Sequence, residues 1–151
     1  VAREWDAAEL IADGFERVYI ELDYYDGIRA GLGDIGGILH YFERSDNDRG
    51  DELDEYRVWP PSAEAAAWER EQWAILVDWS RRYEAGKAVM DSHPGHGGTD
   101  ARYDELTLLL APHRHAPDNA RKLMGEKRFD NSDDRYRIEG IGVWFRWHPT
   151  A

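Results

Sequence analysis

The chain has 151 residues, no cysteine, seven Trp, eight Tyr, four Phe and a formal charge of −12. A domain of this length hides roughly 70% of its unfolded surface, so aromatic burial can supply a core without disulfides or metal. The negative charge excludes direct nucleic-acid binding, and no apolar run nears the roughly 20 residues of a membrane span. With no basic-then-apolar pattern at the N-terminus, the expectation is one cytoplasmic domain over residues 1–151 with no membrane partner and no cofactor.

Trp5, Ala8, Ile11 and Ala12 recur at helical spacing and predict a short helix ending at Gly14. The period then changes to two. Val18, Ile20, Leu22 and Tyr24 share one strand face, while Arg17, Tyr19, Glu21, Asp23 and Tyr25 share the other. Asp26-Gly27 and Gly36-Gly37 are tight-turn pairs, so residues 15–44 read as a three-stranded meander. Gly31 and Gly33 interrupt its middle strand, the mark of a bulge or of the close approach of a neighbouring side chain. A strand over Glu55–Trp59 stops at Pro60-Pro61.

Ser62 is placed to cap a long helix that Gly86 ends, with Ala65, Trp68, Gln72, Ile75, Leu76, Trp79 and Tyr83 on one stripe. Thr99 or Asp100 caps a second helix before Pro112, and Pro117 opens a short third one reaching Gly125. Arg114–Arg128, basic-leaning, reads as a solvated helix face. Alternation returns over Tyr136–Trp147, a terminal strand with Ile141, Val143, Phe145 and Trp147 on one side. The expected fold is α+β: an antiparallel sheet of about four to six strands, made of the N-terminal meander and the C-terminal strand. One long helix and two shorter helices pack against it.

Residues 1–60 hold 16 acids against six bases, most of the charge of the whole chain. On the first strand Tyr19, Glu21, Asp23 and Tyr25 combine carboxylates with ring faces, a pairing that suits Arg or Lys. Glu43 extends this face, and Asp48 and Asp51 stand at its rim. The leading expectation is therefore a non-catalytic binding protein that recognises a basic protein, in the manner of an inhibitor or immunity protein. The loop Asp46–Asp51 only loosely resembles a calcium loop, with Gly50 one position early and Arg57 where a Glu is required.

Two alternatives stand beside that reading. His93 and His96 in a Pro/Gly loop, with His113 and His115 beyond a ten-residue helix, could meet as zinc ligands and serve a small metal-assisted hydrolase. No His-Glu-x-x-His spacing supports them, and no metal is expected. The other alternative is a small-ligand domain in which the sheet curls around an aromatic-lined pocket. No nucleophile elbow, phosphate loop or dinucleotide fingerprint is present.

Overall fold

A computed structural model describes residues 5–45 and 53–150. The chain divides into two compact units: Val1–Pro60 with Ala116–Arg135 and Glu139–Ala151, and Pro61–His115 with Tyr136–Ile138. The second unit is thus inserted in the first along the sequence.

The first unit is a closed six-stranded antiparallel barrel. Its strands are β1 (Glu16–Tyr24), β2 (Ile28–Ile35), β3 (Ile38–Arg44), β4 (Leu53–Trp59), β5 (Arg121–Phe129) and β6 (Val143–Pro149), each paired with its neighbour in the sequence. The turn signals hold: Asp26 and Gly27 take φ of 52° and 110°, and Gly36 and Gly37 take 60° and 78°. Glu16 fixes the second turn, its two carboxylate oxygens accepting the Gly36 and Gly37 amides at 2.9 and 2.8 Å.

Closure is the main departure from the expected open sheet. β6 pairs with β1 through Glu16–Phe145 and Arg17–Trp144, which removes both free edges. The expected helix from Pro117 is also absent. Residues 121–129 instead form β5, hydrogen-bonded to β4 on one side and β6 on the other. Its inward positions Leu123 and Gly125 repeat at period two, so the basic residues around them lie along a strand and not on a helix face.

Residues opposite one another in register share a face. Gly31 faces Phe42 and Gly125 faces Trp147, and these glycines make room for rings. A Cβ at Gly125 would lie 2.9 Å from Phe145 and 3.0 Å from both Trp147 and Tyr56. A Cβ at Gly31 would meet the Ile20 carbonyl and the Phe42 ring. Into that space Phe42, Tyr56, Phe145 and Trp147 interlock, with centroid separations from 4.7 to 6.0 Å. A short helix α1 (Ala7–Ala12), capped by Asp6, adds Leu10 to Phe15 and Trp144 in a separate cluster.

The second unit is helical. α2 (Ala63–Glu84) begins at Ser62, whose hydroxyl accepts the Ala65 amide at 3.0 Å. α3 (Ala101–Leu110) begins at Asp100, whose carboxylate accepts the Tyr103 amide at 2.9 Å. Within this unit the helices pack on each other through Ala65, Leu106 and Leu110, flanked by Trp68 and Ile75. The expected picture of helices laid on a sheet left out this helix-on-helix core. Glu69 and Gln72, inside the apolar stripe, are both buried, and Arg114 reaches them. Its Nε and Nη2 donate to the two Glu69 oxygens at 2.9 and 2.7 Å, and Nη2 also donates to Gln72 at 2.6 Å. Gln72 Nε2 in turn donates to Thr107 at 2.7 Å and the Tyr103 carbonyl at 3.0 Å. The network is fully paired, as a buried charge requires.

Candidate functional site

Two regions contain the residues singled out from the sequence. The first is the acidic face around β1. Register shifts between Val18 and Ile20, and between Glu21 and Asp23, break its strict alternation. Glu21 becomes mostly buried, while Tyr24, expected to point inward with Val18 and Ile20, is 44% exposed.

Four of the expected anchors, Tyr19, Glu21, Tyr25 and Glu43, meet a partner from the same chain. Arg135 lies 3.3 Å from Glu21, and its guanidinium stacks 4.8 Å from the Tyr24 ring. Burial raises the Glu21 pKa, more than Arg135 lowers it, and Asp23 adds to the rise. Arg57 faces Glu43 across the β3–β4 ladder at 3.4 Å. Arg29 covers exposed Tyr25 at 5.1 Å and donates from Nε to its carbonyl. Tyr19 donates its hydroxyl to Asp34 at 2.8 Å, and burial with this bond pushes its pKa up to about 12. Asp23 is exposed. Asp48 and Asp51 lie outside the described residues, as does the calcium-like loop. Arg29, Arg57 and Arg135 thus sit among the acids and rings of this face.

The second region holds the histidines. His93 and His96 lie together with ring centroids 5.3 Å apart, whereas His113 stands edge-on to Trp68 at 5.9 Å and His115 is exposed. Among the described residues no group of three or more His, Asp or Glu side chains is placed to hold a metal ion. The four imidazoles of the alternative reading thus lie in separate places, His93 and His96 together and His113 against Trp68. The two short 3₁₀ turns, Met90–Ser92 and Pro94–His96, direct His93 and His96 elsewhere: toward the last turns of α2.

There the rings build a wall. Trp79 stacks on Tyr83 at 5.1 Å and 17°, and His93 meets the Trp79 ring edge-on at 4.6 Å. Trp79 donates its indole N–H to Ser92 at 2.9 Å, and Ser92 donates to the Val89 carbonyl at 2.7 Å. That serine is spent on fixing the tryptophan and is no free nucleophile. On the far side, Tyr136 rests against Trp73 at 5.9 Å, and Trp73 donates to the Arg137 carbonyl.

Trp79, Tyr83, His93, His96 and Tyr136 line an open concavity of about 560 Å³, together with Met90 and Glu84. His93 Nδ1 accepts the Gly95 amide at 2.9 Å, so the neutral ring carries its proton on Nε2. Burial, together with repulsion from His96, lowers the His93 pKa and keeps that ring neutral. Glu84 is then the one carboxylate in a lining of rings and a thioether.

The histidine pair was legible in the sequence as a possible site, but Trp79 and Tyr83 were read only as a core stripe. Their neighbours along the chain carried the missing signal. The last helical turn runs within ten residues of a Pro/Gly/His loop, close enough for that loop to fold back beside the turn.

Comparison with known protein families, with curated proteins and with solved structures finds no match to this chain. Among the described residues no helix is long and apolar enough to cross a membrane.

Proposed function

We propose that this chain is a ligand-binding protein and that its helical unit takes a small organic cation with a flat or apolar body. The observation carrying this reading is the concavity lined by the exposed Tyr83 ring, which stacks on the buried Trp79 beside His93, with Glu84 at its border. Stacked rings attract a cation through their quadrupoles, and partial desolvation strengthens that attraction. A neutral His93 leaves the attraction unopposed. The charge of −12 raises the local concentration of any cation. The acidic face on β1 is the weaker candidate for ligand binding, because its acids and rings already hold arginines of this chain.

The test is calorimetric titration of the full chain with phenyltrimethylammonium, beside its neutral isostere tert-butylbenzene. Saturable binding of the cation is expected, weakened roughly tenfold by Tyr83→Ala, which removes one face of the stack. Affinity should also fall in acid, at a pH below the ordinary imidazole value of about 6.5 because the His93 pKa is lowered, as the ring takes up a proton and repels the ligand. Equal affinity for the isostere, or an unaffected Tyr83→Ala variant, would overturn the proposal.

A further inference from the structure

The barrel unit has its own concavity, of about 550 Å³, at the end where β2 turns into β3 and β6 finishes. Its floor is apolar, formed by Ile35, Leu123, Trp147 and Pro149. The polar groups around it are not equally available. Glu16, the carboxylate of the lining, has each oxygen occupied by a backbone amide of the Gly36-Gly37 turn. His40 donates from Nδ1 to the Ile38 carbonyl at 2.8 Å, because a carbonyl can only accept. That bond leaves its Nε2 uncommitted. His148 is held by Glu126, 3.1 Å from Nε2.

In the neutral ring that nitrogen is an acceptor, so the uncommitted donors lie elsewhere. Arg121, exposed at the rim, has no ion pair or hydrogen bond among the described residues, and the Trp147 indole N–H has no acceptor there. A rim cation above an apolar floor that itself carries an indole N–H complements a carboxylate on an apolar body. The barrel interior below is filled by the Phe42, Tyr56, Phe145 and Trp147 rings, so a ligand is confined to the mouth.

We infer that the barrel mouth is a second binding site, separate in chemistry from the cation pocket, and that it takes a small aliphatic carboxylate. The carboxylate pairs with Arg121 and accepts from Trp147, and its alkyl chain lies on Leu123, Ile35 and Pro149. This inference does not depend on the cation site, since the two involve different units and opposite charges.

The experiment titrates the full chain with octanoate, and separately with 1-octanol, following backbone amide and indole N–H resonances. Octanoate is expected to bind saturably and to shift the Trp147 indole proton and the amides of His40 and Leu123. Arg121→Gln should weaken octanoate roughly tenfold, the loss expected for one charge-assisted pair, and leave 1-octanol unchanged. Arg121→Lys, which keeps the charge, should recover part of the loss. Equal octanoate binding by wild type and Arg121→Gln would overturn the inference, as would shifts confined to the helical unit or no saturation at all. Failure of octanoate alone would leave the cation result standing, and the converse also holds.

Discussion

Glu21 shows how a single residue can be read correctly as acidic and wrongly as available. In sequence it is one of two carboxylates flanked by tyrosines on a strand, a simple recognition surface. In the fold a bulge turns it mostly inward, and Arg135 comes to it. Its pKa is raised above the ordinary carboxylate value, so the folded state holds a proton more tightly than the unfolded chain. The sign follows directly. The contribution of Glu21 to stability is full below its unfolded pKa near 4.5 and is lost as pH rises through the raised folded value. Glu21→Gln should therefore become more stable relative to wild type between about pH 4 and pH 7. Paired denaturant titrations across that range would show it, and a constant difference between the two proteins would contradict it.

At the scale of elements, sequence pattern was informative wherever a local signal controls the backbone. Ser62 and Asp100 cap the helices they were expected to cap, and Gly86 takes φ of 73° beyond α2. Gly31 lies against the Phe42 ring and opposite a shifted register, so both meanings of a strand glycine apply to it. The pattern failed on β5, where Lys122, Glu126, Lys127 and Arg128 mask an alternation carried only by Leu123 and Gly125. A glycine gives no hydrophobic signal, although here its lack of a side chain admits three rings. Partners distant in sequence were equally invisible. Arg114 was assigned to a solvated surface but closes the buried Glu69–Gln72 network. Arg114→Ala should leave Glu69 buried and unpaired, and should cost about 3 kcal/mol. Replacing both partners, as Glu69→Leu with Arg114→Met, should recover most of that loss. Chemical denaturation of the single and double variants measures both effects.

On the scale of the whole molecule, sheet and helices were each expected, but the way the sheet ends was not. A meander followed by a distant strand is compatible with an open sheet or a ring, and the choice depends on twist and register that no local pattern encodes. An aromatic-lined pocket stood among the expectations, but the position of neither concavity did. One needs the loop after α2 to fold back, and the other needs the ring to close. The ring is also unevenly built. β6 pairs with β5 along its whole length, from Leu123–Pro149 to Phe129–Val143, while it meets β1 only at Glu16–Phe145 and Arg17–Trp144. Beyond these, the Ile141 amide reaches the Val18 carbonyl at 3.1 Å. Amide hydrogen exchange should thus be faster along this seam than across the β2–β3 or β5–β6 ladders. Uniform protection around the ring would contradict that expectation.

The short seam makes the barrel resemble a belt with a small buckle. The first and last strands must find each other across nearly the entire chain, and such a long-range junction is expected to form late in folding and to part early. Parting would undo the protection that closure provides, because a ring that opens at one place exposes two bare strands at once. The partly opened form could then exchange strands with a second copy, each β6 completing the other's ring. Concentration-dependent dimers under mildly destabilising conditions, dissolving only as slowly as the barrel unfolds, would be the visible trace of that exchange.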